Sequence, residues 1–210
     1  MNSIKKMEWR YAVKKFDAER ILSNTKIQIL KEAFNLTATS YGLQPLKMVV
    51  VRNKELQKEL VAHSYNQEQV SQASHILIIC IEKDIDEKYI ENYFDRVKKI
   101  RDTPDTILDP FRNYLIDSFT KMNADEIKEW ATKQAYLALG NLMTICAIED
   151  IDACPMEGFI ALEYDRVLNL DTLGIRSILV MPVGYRANDD MFSEFKKVRK
   201  DIAESVIEIE

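Results

Sequence analysis

Between residues 24 and 36, apolar side chains fall three and four positions apart: Ile27, Leu30, Ala33 and Phe34 share one face. Residues at that spacing stack on one side of a helix, so the pattern predicts an amphipathic helix, with Ser23 or Asn24 to cap it. Residues 47–52 (KMVVVR), 75–83 (HILIICIEK) and 174–186 (GIRSILVMPVGYR) are different: short runs, rich in β-branched residues and mostly apolar. They predict buried strands. Helical periodicity returns after Asn53, which can cap the segment to Tyr65. It recurs over 84–102, where Ile85, Tyr89, Tyr93, Val97 and Ile100 are expected to form the inner face, and over 106–122. The run from 124 to 150 grows steadily more apolar and predicts a long helix whose second half is buried. Short helices are expected at Ser3–Trp9 and near 161–170. The segments SYGLQP, DACPMEGF and FSEFKKVRKD read as loops, and the tail SVIEIE alternates like an edge strand able to reach another subunit's sheet.

Alternating helices and strands predict an α+β chain built as a three-layer αβα sandwich, a mixed central sheet with helices on both faces. No repeat or low-complexity linker divides residues 1–210, so one domain is expected. Five glycines and five prolines are too few to break up long helices. A net charge of −5 argues against non-specific nucleic-acid binding, which needs a basic face. Cys80, Cys146 and Cys154 lack metal or disulfide spacing, and the first two lie in apolar runs. With no apolar leader at MNSIKKMEWR and no membrane-length apolar stretch, a soluble cytoplasmic protein is expected.

No glycine-rich phosphate loop is present. His63 and His75 have no carboxylate or cysteine cluster beside them, so neither suggests a metal site or triad. If the chain is an enzyme, a cofactor should carry the difficult chemistry. Two basic runs, RYAVKK at 10–15 and KKVRK at 196–200, are either solvated surface or two halves of a phosphate grip. CPMEGF is either a plain joint or a backbone platform, with Gly158 allowing a flat ligand close to the main chain. TSYGLQP is either a helix stop or a source of polar contacts from Thr39 and Ser40.

In order along the chain stand Arg10-x-x-x-Lys14-x-Phe16-Asp17, Ser40-x-x-x-Gln44-Pro45, and Asn66 followed by Ala73-Ser74-His75. Then come Trp130, Gln134, Tyr136, Leu137, Gly140 and Asn141 on one helix, and the loop Pro155-x-Glu157-Gly158-Phe159. Val180-x-Pro182-Val183-Gly184-Tyr185 and Lys197-x-Arg199 complete the series. Together these motifs resemble the FMN-dependent nitroreductase family, in its oxygen-insensitive NAD(P)H nitroreductase and dihydropteridine reductase branch. The resemblance implies a homodimer with C-terminal strand exchange and an FMN site at the subunit interface. It assigns the FMN phosphate to Arg10, Lys197 and Arg199, with main-chain contacts at Tyr11 and Ala12. Lys14 would lie by the pyrimidine edge of the ring, Asn66 at its polar edge, and the main chain of Glu157 and Gly158 at N5. Thr39 and Ser40 would come from the partner subunit, and Tyr41 and Gln69 would face the nicotinamide or substrate.

The chain also departs from the family pattern. Tyr11 and Ala12 stand where His and Ser are usual, Gln69 where a Lys is frequent, and Leu46 where a Trp is common. Tyr41-Gly42-Leu43 replaces small polar residues. The expected activity is hydride transfer from NADH or NADPH through the flavin to nitroaromatics, quinones or similar flat acceptors, in ping-pong order. The alternative is a flavin-holding or protein-interaction module with little turnover.

Overall fold

The computed structural model describes residues 3–209; Met1, Asn2 and Glu210, which belong to the expected domain and tail, lie outside the described residues. Strands β1 (Leu46–Val51), β2 (His75–Glu82), β3 (Asp152–Ala153) and β4 (Ile175–Gly184) form a sheet in the order β1-β2-β4-β3. β2 is the centre. Leu77, Ile79 and Ile81 point into one core and Ile76, Ile78 and Cys80 into the other. Each is at most 1% exposed, and a fully buried aliphatic side chain of this size contributes roughly 1.5–3 kcal/mol. This explains the continuous apolar run in the sequence: both faces of the strand are covered.

The first face carries α2 (Asn24–Asn35), α5 (Glu87–Arg101), α6 (Asp105–Thr120) and α7 (Ala124–Ile148). The second carries α3 (Lys54–Ala62), α4 (Gln69–Gln72) and α8 (Ala161–Val167). The three expected layers are therefore present. Local chemistry sets the helix starts. Ser23 Oγ accepts from Lys26 N, Asn53 Oδ1 from Leu56 N, and Asp86 Oδ1 from Tyr89 N. Asn123 accepts from Asp125 and Glu126 N–H while the Glu126 carboxylate accepts the Asn123 N–H, a reciprocal capping box for the longest helix.

Three details differ from the sequence expectation. Among the described residues, the ladders between named strands are all antiparallel, and the parallel part of the mixed sheet is one bridge, Ala12–Ala153. It extends no further because the N–H groups of Lys14 and Lys15 turn to the Asp190 carboxylate after Val13 N–H donates to Ala153 C=O. DACPMEGF contains β3, and Cys154 and Met156 continue along β4 by donating to Pro182 C=O and Val180 C=O. On α5 the buried axis is Ile90–Phe94, flanked by Tyr89 and Tyr93, while Ile100 is exposed in the last turn before a left-handed Asp102.

α1 (Ser3–Trp9) packs on α7, and α9 (Ile202–Ser205) precedes residues 206–209, which are irregular and exposed. Among the described residues, no helix is long and apolar enough to cross a membrane.

Candidate functional site

The basic stretch that follows α1 lies along the sheet edge. Val13 and Phe16 enter the second core, and Phe16 passes over Gly184, where a Cβ would stand 3.1 Å from both the Phe16 ring and Ser74 N. The chain bends at Lys14 and Lys15, so Val13 and Phe16 both point inward while the two lysines are exposed. Arg10, Tyr11, Ala12 and Lys14 form one wall of a cleft of about 340 Å³. Phe192, Phe195, Lys197 and Arg199 form the other, so the two basic runs converge.

Asp190 brings them together. Its side chain is buried, and Oδ2 accepts from Tyr11 Oη (2.9 Å), Lys14 N (3.0 Å) and Lys15 N (3.3 Å), while Oδ1 accepts from Phe192 N (3.2 Å). Burial opposes its ionisation, but these donors outweigh burial and hold the carboxyl below its usual range. Burial first, and the Asp190 bond second, push the Tyr11 phenol up. The Tyr11 ring also stacks under the Arg186 guanidinium, 4.5 Å from its centre, with Trp9 at 4.3 Å. Arg186 is paired with the buried Asp152 through Nε (2.8 Å) and Nη2 (2.6 Å).

The cleft cations are not paired in this way. Among the described residues, no carboxylate forms an ion pair with Arg10, Lys197 or Arg199. Lys197 donates to the Arg10 carbonyl, which leaves its charge uncompensated. Burial, then Arg199, lowers the Arg10 pKa; burial, then Arg10 and Arg199, lowers that of Lys197. Three like charges are thus held together, at a cost to Arg10 and Lys197.

A row of polar contacts leads away from the cleft. Lys14 Nζ lies 3.8 Å from Cys154 Sγ, and Gln69 Nε2 lies 3.9 Å from the same sulfur. Gln69 also donates to Gln67 Oε1 (2.9 Å), and Gln67 Nε2 donates to Gly158 C=O (2.8 Å). A Cβ on Gly158 would meet Gln67 Nε2 at 2.9 Å, so only glycine lets this contact form undisturbed. Gln69 is 5% exposed, buried among these partners and Met156 rather than open to a substrate mouth. Asn66 and Tyr65 are exposed, both with left-handed backbone. Glu157 accepts from Tyr136 Oη at 2.6 Å.

Thr39, Ser40 and Tyr41 are elsewhere. Ser40 N–H donates to Gln134 of α7, whereas Arg10 acts electrostatically on Cys146, twelve residues or about 18 Å further along that helix. Tyr41, half-exposed and with left-handed backbone, stacks on Trp130 and meets the edges of Phe111 and Phe119. One chain thus unites Arg10, Tyr11, Ala12, Lys14, Lys197 and Arg199, connects them to Gln69 and Gly158, and leaves the 39–41 turn apart.

Sequence reading missed Asp190, Gln67 and the sulfur of Cys154. The ANDD turn after the last strand was the available signal for the first: a carboxylate pair close to a basic loop. Nothing in the spacing marks the other two.

Comparison with known proteins identifies the family. The model of the nitroreductase family matches residues 7–185. A Staphylococcus haemolyticus protein named "Putative NAD(P)H nitroreductase" is 32% identical over 216 residues, covering 98% of this chain and 95% of its own. The crystal structure of a nitroreductase family protein from Streptococcus pneumoniae superposes with a TM-score of 0.82 at 22% identity, covering all of both chains. A structure from Exiguobacterium sibiricum, solved in complex with FMN, gives 0.84 at 16% identity, covering 100% of this chain and 98% of the other. With a family model over most of its length and a relative this similar from end to end, the chain belongs to the nitroreductase family.

Proposed function

We propose that the chain is an NAD(P)H-dependent FMN oxidoreductase that works as a cytoplasmic homodimer on nitroaromatics, quinones or similar flat, electron-poor acceptors. The observation that carries this reading is the convergence of Arg10, Lys197 and Arg199, from opposite ends of the sequence, on one cleft where no carboxylate among the described residues forms an ion pair with them. The residues fit FMN: a cationic recess for a phosphate, a single ammonium at Lys14, and a loop where a Cβ at Gly158 would crowd Gln67. FMN, when bound, supplies hydride acceptance from the nicotinamide and its return to the acceptor, in alternate half-reactions.

The protein's part is to bind, orient and polarise. Arg10, Lys197 and Arg199 hold the phosphate, with the main chain at Tyr11 and Ala12 beside it. Lys14 places positive charge where reduction adds negative charge, which favours hydride acceptance. The Glu157–Gly158 main chain and Asn66 would hold the ring itself. Thr39 and Ser40 reach the cofactor from the partner subunit, which accounts for their distance from Arg10 within one chain. Tyr41 borders the mouth used by nicotinamide and acceptor. Dimerisation is supported by exposed Tyr136 and Leu137 on α7, by open space above Gly140, and by the unpaired tail with Ile207 and Ile209 exposed. The exposed edge of β1 is a ready receiver for such a tail.

Anaerobic addition of NADH or NADPH to the FMN-loaded protein should bleach the flavin, and a nitroaromatic or quinone should restore its colour. A protein that binds FMN yet never bleaches would instead support the low-turnover flavin-holding module, and one that takes up no FMN would refute both flavin readings and leave a protein-interaction module.

A further inference from the structure

The row from Lys14 to Gly158 contains Gln67 and Cys154, which have been given no role, and Gln69, which the family resemblance turned toward the nicotinamide but which is buried here. Lys14 has a long flexible stem, and holding it in one place costs up to roughly 2 kcal/mol of rotamer entropy. Its ammonium has one side-chain partner among the described residues, the Cys154 sulfur. A carboxylate there would fix the ammonium and cancel its charge. A thiol fixes it and leaves the charge intact, and burial pushes the Cys154 pKa up, which keeps the sulfur neutral. Gln69 approaches the same sulfur, and its second contact, to Gln67, leads directly to the Gly158 carbonyl. All three side chains are at least partly buried, so the row is part of the packed structure.

We propose that Gln67, Gln69 and Cys154 are positioning residues that connect the Lys14 ammonium to the Gly158 main chain, so that two edges of one flat cofactor are held by a single hydrogen-bonded row. The proposal rests on the FMN reading above. It explains the uncharged residue at position 69: a lysine would bring a second ammonium to the sulfur that Lys14 already occupies. Gln69, with both a donor and an acceptor, bridges instead of repelling. Loosening any link releases Lys14, and a mobile ammonium stabilises the reduced, more negative flavin less than a fixed one.

The test is a redox titration of bound FMN in the dimeric holoprotein and in Gln69→Leu, Cys154→Val, Cys154→Ser and the double variant Gln69→Leu/Cys154→Val. Circular dichroism and Tm identify any variant that fails to fold. Gln69→Leu and Cys154→Val should each weaken reduced relative to oxidised FMN by about tenfold, the scale of one lost hydrogen bond to a charged group. The double variant should be no worse than either single one, because both break the same row. Cys154→Ser, which still accepts from both donors, should keep the parent potential. If Gln69→Leu does not fold, the Val and Ser variants at 154 decide the matter alone. FMN bound at an unchanged potential in Gln69→Leu and Cys154→Val overturns the row while leaving the FMN reading in place. Additive losses in the double variant overturn it too. A parent protein that binds no FMN removes the FMN reading, and the row with it.

Discussion

Arg186 and Arg10 stand in the same corner of the molecule, and both repel Lys197. Their surroundings differ. Arg186 lies against the rings of Trp9 and Tyr11, and the buried Asp152 takes up its charge. Arg10 faces Lys197 and Arg199, with no ion-paired carboxylate among the described residues. A compensated cation joins the α1 end, β3 and the end of β4 into a scaffold. An uncompensated group of three is held against its own repulsion, which makes sense if an anion arrives from outside. The comparison therefore separates a compensated cation from uncompensated ones within one corner of the molecule, although Arg10 and Arg186 lie at opposite ends of the sequence.

It can be broken most forcefully at Asp152. Asp152→Ala should destabilise the fold by about 3 kcal/mol, since it strands a mostly buried guanidinium and removes the acceptor of Arg186 N–H. Urea denaturation measures this; a loss under 1 kcal/mol would make Arg186 a surface charge like any other. Arg10→Ala should do the opposite. FMN affinity should fall by about tenfold to a hundredfold, the range for a lost charge-assisted contact, while the apoprotein Tm holds steady or rises as like-charge repulsion is relieved. A fall in Tm with unchanged FMN affinity would reverse the roles of the two arginines.

Tyr11 borders both regions. Tyr11→Phe keeps the ring under Arg186 and removes only the hydroxyl given to Asp190, so about 1 kcal/mol of stability should be lost. Acid probes the same carboxylate. Asp190 has a folded pKa below its unfolded value of roughly 3.9, so its contribution is complete above that value and is lost as pH falls through the folded pKa. Denaturation curves should show Asp190→Asn flattening the stability loss at the acid end and leaving the neutral range parallel to the parent. The smallest effect is expected at Lys15. Its exposed pair with Asp189 lies outside the cleft, so Lys15→Ala should change neither Tm nor FMN affinity measurably.

Much of this was legible in the sequence where the physics is local. β1, β2, β4 and α7 begin and end within a few residues of where apolar period and capping residues put them, because burial on both faces leaves an unbroken signal. β3 was not legible: two residues cannot show a period, and its partner lies on β4, thirty residues away. The α5 face was read slightly off its axis because tyrosines, half apolar and half polar, flank the true ridge at Ile90 and Phe94. At the site, Arg10, Lys14, Lys197 and Arg199 and their meeting at one phosphate were implied by family resemblance, but spacing alone could not show how the two basic runs converge. That convergence depends on Asp190, a buried carboxylate that looks like one more acid in a polar turn until its four donors are seen. The Gln67–Gln69–Cys154 row was hidden for a similar reason, since amides and thiols carry no charge pattern to read.

The central claim is that the cleft formed by Arg10, Lys197 and Arg199 is kept for the phosphate of FMN. The most direct test is to titrate the apoprotein with FMN and with riboflavin, which has the same ring and no phosphate, and follow flavin fluorescence. FMN should bind more tightly by at least about a hundredfold, and the gap should narrow as salt is raised or Arg10 is replaced by alanine. Equal affinity for the two flavins would contradict the account.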